Sequence, residues 1–276
     1  MKNDAYQIAY RTITSEAARS ERSSAFGDDD IGQHSWTTPK ELLDMISACE
    51  LNERSVVMDV GCGAGGPAMF VAQQSDSQVT GVDIDDQGIE MANAEAARRG
   101  LSHRCRFQIH NAADPFDFPD ASFDLIFAID SIFHIPQREN FLIETRRMLT
   151  HRGKLFFTDA GVVNGQIGGE EFQLRSFNGA AYFAPAEYNK SVLENTGFEV
   201  ISSEDLTGSN ENIAQRRFDA RIELRDPLVE VEGEVAYRGR QAYLHKVAEL
   251  CRERRLCRYA YLAKKGYSVK HPGNGL

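Results

Sequence analysis

The 276-residue chain contains little cysteine and no long apolar segment. Its cysteines are odd in number and lack CxxC spacing, so they indicate neither a disulfide framework nor a zinc site; they are Cys49, Cys62, Cys105, Cys251 and Cys257. No run approaches the roughly 18 apolar residues that a membrane helix needs, and residues 1–10 lack the apolar stretch of a secretory signal. We therefore expect a cytoplasmic protein with reduced thiols, no membrane insertion and no metal ion.

Positive charge is also scarce. The chain has 31 Lys and Arg residues against 41 Asp and Glu residues, which gives a formal net charge of −10. Such a protein repels the phosphate backbone of a nucleic acid unless it concentrates basic residues in one patch. A short basic cluster from Arg252 to Arg258 includes Glu253 and is more typical of a solvated helix face. We therefore expect no nucleic-acid partner.

What the chain does contain is an alternation of apolar runs and helical patterns. Apolar residues make up 42% and charged residues 26% of the chain, which is typical of a soluble globular enzyme. The alternation predicts an α/β fold with a doubly wound parallel sheet. The predicted strands are 56–60, 78–83, 105–109, 123–129, 155–159, 198–203 and 259–263; the predicted helices are 39–50, 68–74, 85–99, 136–149 and 185–196, with a polar helical stretch over 213–255.

The domain organisation follows from where the predicted sheet begins and ends. At about 150 residues per domain, the length fits one large domain with an appendage or two small domains. Residues 1–50 precede the first strand and are predicted to lie over the strand ends as a lid. The main domain is predicted over 51–270, with an insertion over about 161–257 that shapes a substrate pocket. Residues 271–276 are predicted to be a frayed tail.

A glycine-rich loop is the first candidate binding element. The first strand ends in Gly61-Cys62-Gly63-Ala64-Gly65-Gly66, and Pro67 follows at a helix start. The GxGxxG pattern alone is weak, because several classes of nucleotide-binding loop share it. Asp59, two residues before Gly61, would repel a pyrophosphate and attract an ammonium group. The glycines and the helix N-terminus would accept a carboxylate, so the loop favours an amino acid over the diphosphate of a nicotinamide cofactor.

A second carboxylate indicates that the ligand also contains a nucleoside. Asp83 ends the second strand, where its side chain can accept hydrogen bonds from two ribose hydroxyls. An amino acid joined to a nucleoside without phosphate suggests S-adenosylmethionine, whose product after methyl transfer is S-adenosylhomocysteine.

Four segments in order resemble the motifs of class I S-adenosylmethionine-dependent methyltransferases; they are 57–66, 81–84, 118–124 and 149–159. The chain looks most like the branch that includes ubiquinone/menaquinone, sarcosine/dimethylglycine and phosphoethanolamine methyltransferases. The resemblance implies a Rossmann-like seven-stranded sheet of order 3-2-1-4-5-7-6 with the last strand antiparallel. It also implies an enzyme that acts on a small-molecule substrate.

The resemblance also assigns cofactor-binding residues. It implies that Asp59, Gly61, Cys62 and Gly63 hold the methionine end, that Asp83 holds the ribose and that Ile84 flanks the adenine. Asn111 and Ala112 stand where relatives commonly have an Asp beside the adenine amino group, so Asn111 or backbone groups are expected there. In the N-terminal segment, Gln33 and Ser35 are expected to bond the cofactor carboxylate, and Trp36 to exclude water.

Candidate catalytic residues follow the fourth and fifth strands. Asp130 is a candidate cofactor-binding residue, and it lies with His134 where substrate and cofactor should meet in such a sheet. His134 resembles the histidine of a His–Tyr catalytic pair in phosphoethanolamine methyltransferases, with Tyr6 or Tyr10 as candidate partner, and is a candidate general base. Its alternative is a structural role beside Phe133. Asp159 is a candidate second base or positioning group, with a loop cap as its alternative.

Two alternatives to methyl transfer remain at this stage. A protein of the same fold can bind the cofactor without transferring methyl, as a cyclase-like catalyst or a binding module. A nicotinamide oxidoreductase is disfavoured by Asp59. The chain lacks the Asn-Pro-Pro-Tyr type motif of amino methylation after the fourth strand, which favours a small-molecule acceptor. No motif specifies the acceptor atom (N, O or C) or the oligomeric state.

Overall fold

The computed structural model describes residue 12 and residues 15–176 and 181–266. Its strands are β1 Val56–Val60, β2 Gln78–Asp83, β3 Cys105–Ile109, β4 Phe123–Ile129, β5 Leu149–Val163, β6 Ala184–Pro185, β7 Phe198–Asp205 and β8 Leu256–Lys265. Its α-helices are α1 Glu16–Phe26, α2 Pro39–Cys49, α3 Gly66–Ser75, α4 Asp86–Arg98, α5 Arg138–Met148, α6 Gly169–Arg175, α7 Tyr188–Asn195, α8 Thr207–Glu223, α9 Arg225–Glu232 and α10 Glu234–Arg252. The predicted tail lies outside the described residues, as do Tyr6 and Tyr10.

The strands form one sheet in the order β3-β2-β1-β4-β5-β8-β7, with β6 paired to β5 outside this path. Strands β1 to β5 are parallel, and β8 runs antiparallel to both β5 and β7. Without the short β6, this is the predicted order with its antiparallel last strand, so the predicted fold class is confirmed.

Helices cover both faces of the sheet. One apolar cluster packs α2, α3 and α4 against one face, with Leu42, Met69 and Phe127 among its buried members. A second cluster packs α5 and α7 against the other face, with Leu142 and Leu193 buried. Capping residues set the helix starts: Thr38 accepts a hydrogen bond from the backbone N–H of Glu41, and Asp85 from that of Gly88.

A third apolar cluster joins the N-terminal segment to the helices inserted between β7 and β8. Phe26 and Trp36 from the segment pack with Phe133 after β4 and with Tyr243 and Leu244 of α10. The segment before β1 and the helices between β7 and β8 therefore meet beside the carboxyl end of β4. In the part of the chain that the structure describes, no helix has the length and apolarity to cross a bilayer.

Strand pairing explains the different bounds of two predicted elements. The fifth strand extends from Leu149 to Val163, well beyond 155–159, because β4, β6 and β8 all pair with it. The helix predicted from residue 185 begins instead at Tyr188, because Ala184 and Pro185 pair with the end of β5. A proline has no N–H to donate, and an edge position such as this one tolerates it.

Candidate functional site

A cavity of about 530 Å³ opens where β1, β2, β3 and β4 end. The loops after these four strands form one wall, and the N-terminal segment and the helices α8 and α10 form the other. Of the predicted site residues, Ser35, Asp59, Gly61, Cys62, Gly63, Asp83, Ile84, Asn111, Ala112, Asp130 and His134 line the cavity, whereas Gln33 and Asp159 do not.

The glycine loop is held tightly against its neighbours. Gly61 has a φ of 76°, and a Cβ on it would lie 2.4 Å from the Cβ of Ser131. The amides of Gly61 and Cys62 donate to the carbonyl of Val82 at 2.8 and 3.1 Å. A side chain at position 61 therefore fits neither the backbone conformation nor the space. Burial, and then the carboxylates of Asp59 and Asp83, raise the pKa of the Cys62 thiol, so it stays protonated and is a poor nucleophile.

Asp59 lies beneath the loop, 1% exposed. Its Oδ2 has no hydrogen-bond partner among the described residues. Burial, and then the nearby Asp83 carboxylate, raise the pKa of Asp59 well above its ordinary value. An ammonium group in the cavity would supply both the missing donor and the missing countercharge. The site therefore fits the amino acid group that the sequence predicts.

Asp83 links the glycine loop to the start of α4. Its Oδ2 accepts from the amide of Gly63 at 2.8 Å, and its Oδ1 from the amide of Asp85 at 2.9 Å. Burial raises the pKa of Asp83, and these backbone donors oppose that rise. Each oxygen keeps a lone pair for a further donor, so the carboxylate is fixed and can still bind a diol.

The loops after β2 and β3 line the next part of the cavity. Ile84 is 64% exposed and presents an apolar surface there. The Asn111 side chain accepts from the amide of Ala113 and donates to Asp114, each at 3.1 Å. Sequence analysis missed His110, which lines the cavity and whose Nε2 is buried without a hydrogen-bond partner among the described residues. Its place directly after β3 was the signal that could have found it.

The residues after β4 divide into two groups. Asp130, with a φ of 50°, uses its Oδ1 to accept from Thr158 Oγ1 at 2.7 Å and from Arg258 Nε at 2.8 Å. Its Oδ2 accepts from the amide of Trp36 at 2.9 Å. Both carboxylate oxygens therefore bind other parts of the protein. His134 ends a short 3-10 helix, lines the cavity and lies with its ring centroid 4.2 Å from that of Phe133.

Gln33 and Asp159 are placed in structural roles. The Gln33 side chain accepts from the amide of Ile31 at 2.8 Å and donates to the carbonyls of Asp29 and Thr37. Asp159 is fully buried, accepts from Arg138 at 2.9 Å and caps the following turn through the amide of Gly161 at 2.8 Å. This geometry favours the loop cap that the sequence left open for Asp159 over a role as base.

The wall opposite the glycine loop contains residues that sequence analysis missed. Arg217 of α8 and Arg240 and Tyr243 of α10 line the cavity together with Trp36. Trp36 and Tyr243 stack with their ring centroids 6.2 Å apart. The sequence carried no signal for the two arginines, because they lie in helices rich in exposed charge. Among the residues that the structure describes, no group of His, Cys, Asp and Glu side chains is arranged to hold a metal ion.

Comparisons with known proteins place the chain in a family. The family model described as Methyltransferase domain matches residues 58–157. The O-methyltransferase rstn1 of Aspergillus nomiae is 31% identical over 157 residues, which cover 54% of this chain and 67% of that protein. The chain belongs to the class I S-adenosylmethionine-dependent methyltransferases, and S-adenosylmethionine is the cofactor of that family. The predicted family and cofactor are thereby confirmed.

Other similar proteins are longer than this chain or have names that describe other reactions. The sterol 24-C-methyltransferase erg-4 of Neurospora crassa is 32% identical over 162 residues, which cover 56% of this chain. The chain spans only 42 to 43% of the length of the sterol methyltransferases that it matches. Among solved structures, the cyclase SpnF has a TM-score of 0.75 at 21% identity, and the match covers 96% of this chain and 97% of that one. This likeness shows the shared fold.

Proposed function

We propose that this chain transfers the methyl group of S-adenosylmethionine to a small-molecule acceptor, at N, O or C. The observation that carries the proposal is the buried, unpartnered carboxylate oxygen of Asp59 beneath a glycine loop that is bonded to Asp83. One carboxylate suits an ammonium group and the other a ribose diol, and both line a single cavity.

The cofactor-binding residues then divide by the part of the ligand that they contact. Asp59 binds the amino group, and the loop Gly61 to Gly63 carries backbone amides beside it. Asp83 binds the ribose, and Ile84 covers the adenine, whose edge faces Asn111, Ala112 and the orphan Nε2 of His110. Ser35 is placed to bond the carboxylate. Ser35 and Trp36 of the N-terminal segment act as part of a lid over the cavity.

In the reaction, S-adenosylmethionine supplies a methyl group that is already activated on a sulfonium. The protein aligns the acceptor for in-line attack and keeps water away. The buried rings of Trp36, Phe133 and Tyr243 provide the apolar surroundings. His134 takes up the proton of the acceptor on an imidazole nitrogen when the acceptor atom carries one.

The test is transfer of labelled methyl from S-adenosylmethionine into a cell extract that is then separated into small molecules and macromolecules. We expect label in the small-molecule fraction, where its mass identifies the acceptor. Label in protein or RNA would overturn the proposed acceptor class.

A second candidate function is binding of the cofactor without methyl transfer, in a cyclase-like catalyst. It is supported by the match to the cyclase SpnF over 96% of this chain. Tight binding of S-adenosylhomocysteine together with no labelled product in any fraction would favour this candidate over methyl transfer.

A further inference from the structure

Four arginines gather behind the cavity wall opposite the glycine loop. Arg22, Arg217, Arg221 and Arg240 line a small second cavity of about 40 Å³. His34, Arg217 and Arg240 line both this cavity and the large one, so they form the partition between them. Burial, and then the charges of Arg22, Arg217 and Arg240, lower the pKa of His34 well below its ordinary value, so His34 adds no charge at neutral pH.

Three of the four arginines have a carboxylate partner. Arg22 Nε lies 3.4 Å from Asp30 Oδ1, and Arg217 Nε lies 2.8 Å from Glu21 Oε1. Arg221 pairs with Glu232, and both of these side chains are nearly buried. Each pair balances its own charge in surroundings with little water.

Arg240 lacks such a partner. Across residues 15–176 and 181–266, its guanidinium takes part in no hydrogen bond and no ion pair within 4.0 Å. Burial, and then repulsion from Arg217 and Arg221, lower the pKa of Arg240. A guanidinium remains charged at neutral pH despite such a shift. Among the described residues, the cluster therefore pairs four positive charges with three negative ones, and Arg240, which carries the unpaired charge, lines the large cavity.

We infer that Arg240 binds a carboxylate group of the acceptor. This inference rests on the proposed function and identifies the chemical class of its substrate. A guanidinium binds a carboxylate through two parallel hydrogen bonds. One carboxylate balances the single excess charge of the cluster, whereas a dianionic phosphate ester would exceed it. The aromatic rings of Trp36, Phe133 and Tyr243 in the same cavity suit an apolar body attached to that carboxylate.

The test measures fragment binding to the full chain saturated with S-adenosylhomocysteine. The probes are benzoate and hexanoate, each compared with its uncharged amide, and inorganic phosphate, all titrated by calorimetry or by ligand-observed NMR. We expect at least one carboxylate to bind about tenfold or more tightly than its amide, because hydrogen bonds to charged groups are the strong ones. Arg240→Met should abolish this preference, and Arg240→Lys should retain part of it.

A matched control is available on the same helix. Arg238 is 76% exposed and pairs with Glu234 on the surface, so Arg238→Met should leave the preference unchanged. Equal affinity of each carboxylate and its amide for the unmodified protein would overturn the inference, as would tighter binding of phosphate than of either carboxylate.

Two further measurements separate this inference from its competitors. Arg240→Met should bind S-adenosylhomocysteine as tightly as the unmodified protein does; weaker binding would assign Arg240 to the cofactor carboxylate and overturn the inference. If the unmodified protein does not bind S-adenosylhomocysteine, the proposed function itself fails. In the ligand-free protein, Arg240→Met should raise the melting temperature, because it removes an uncompensated charge. A lower melting temperature would show that Arg240 serves the fold instead.

Discussion

Asp59 lowers the free energy of unfolding of the ligand-free protein, and we assign it to the cofactor site. Its pKa in the folded protein lies above the ordinary value of 3.8, so the folded state holds this proton more tightly than the unfolded state. The free energy of unfolding of the ligand-free protein therefore falls as pH rises from about 3.8 through the higher folded-state pKa.

Asp59→Asn removes this pH-dependent loss. At pH 7 we expect the ligand-free variant to be more stable by about 1 to 3 kcal/mol, and below about pH 3 to match the unmodified protein. Denaturant titrations across pH measure both values, and calorimetry should show weaker binding of S-adenosylhomocysteine. The exposed Asp44, paired with Lys40, provides a control through Asp44→Asn. A variant less stable than the unmodified protein at pH 7 would contradict the account.

Asp83→Ala removes the acceptor that we assign to the ribose hydroxyls. We expect S-adenosylhomocysteine affinity to fall by about 1.5 to 3 kcal/mol, since hydrogen bonds to a carboxylate are lost. Part of the loss would come from the Gly63 amide, which donates to this side chain at 2.8 Å. Unchanged affinity in calorimetry would remove Asp83 from the cofactor site.

His134→Ala separates catalysis from cofactor binding. We expect turnover of the labelled product to fall by about 10² to 10⁴, the usual contribution of a general base, with S-adenosylhomocysteine affinity preserved. The exposed His103, before β3, supplies the control through His103→Ala. A fully active His134→Ala would leave His134 with its packing role beside Phe133.

At the scale of elements, Arg258 of β8 connects the sheet to the N-terminal segment. It is fully buried; its Nε donates to Asp130 at 2.8 Å, and its Nη1 donates to Glu41 of α2 at 2.9 Å. Asp130 in turn holds the Trp36 amide. The wall of the cavity that comes from the N-terminal segment is thus anchored to β8 and to the carboxyl end of β4.

Arg258→Met would leave the buried carboxylate of Asp130 and the largely buried carboxylate of Glu41 without their shared cation. We expect the free energy of unfolding to fall by about 3 to 5 kcal/mol, the cost of breaking a buried pair. Arg252→Met, at a residue 57% exposed and paired with Glu211, should cost less than about 1 kcal/mol. Adding Asp130→Asn to Arg258→Met should recover part of the loss in a denaturant titration; no recovery would argue against the ion pair.

The elements differ in how well the sequence predicts them. The bounds of β1 to β4 match the prediction, because each is a short segment of apolar or alternating apolar and polar residues. The length of β5 and the start of α7 do not, since pairing with β6 and β8 decides them and that pairing is non-local.

At the scale of the whole molecule, ligand binding should stabilise the fold. We expect S-adenosylhomocysteine at 100 times its dissociation constant to raise the free energy of unfolding by about 2.7 kcal/mol. A nicotinamide dinucleotide at the same concentration should leave the melting temperature unchanged, because Asp59 repels its diphosphate. Stabilisation by the dinucleotide alone would favour an oxidoreductase.

The residues of the two cavity walls could not be predicted equally well from the sequence. Most of the predicted site residues line the wall at the ends of β1 to β4, because strand ends in a parallel sheet gather at one edge. The part of the opposite wall that comes from α8 and α10 was not predicted, because Arg217 and Arg240 differ from solvated arginines only by the packing of these helices. The hydrogen bonds of Gln33 and Asp159 likewise depend on how the chain packs, so the sequence alone did not predict them.

The indole of Trp36 allows ligand binding at the site to be followed by intrinsic fluorescence. It is the single tryptophan of the chain and is 5% exposed. Its ring stacks with Tyr243 and lies 6.0 Å from the guanidinium of Arg217. All indole fluorescence of the protein therefore originates at the cavity. A change in emission on adding a ligand would report occupancy of this site alone, without a label and without a background from the rest of the fold.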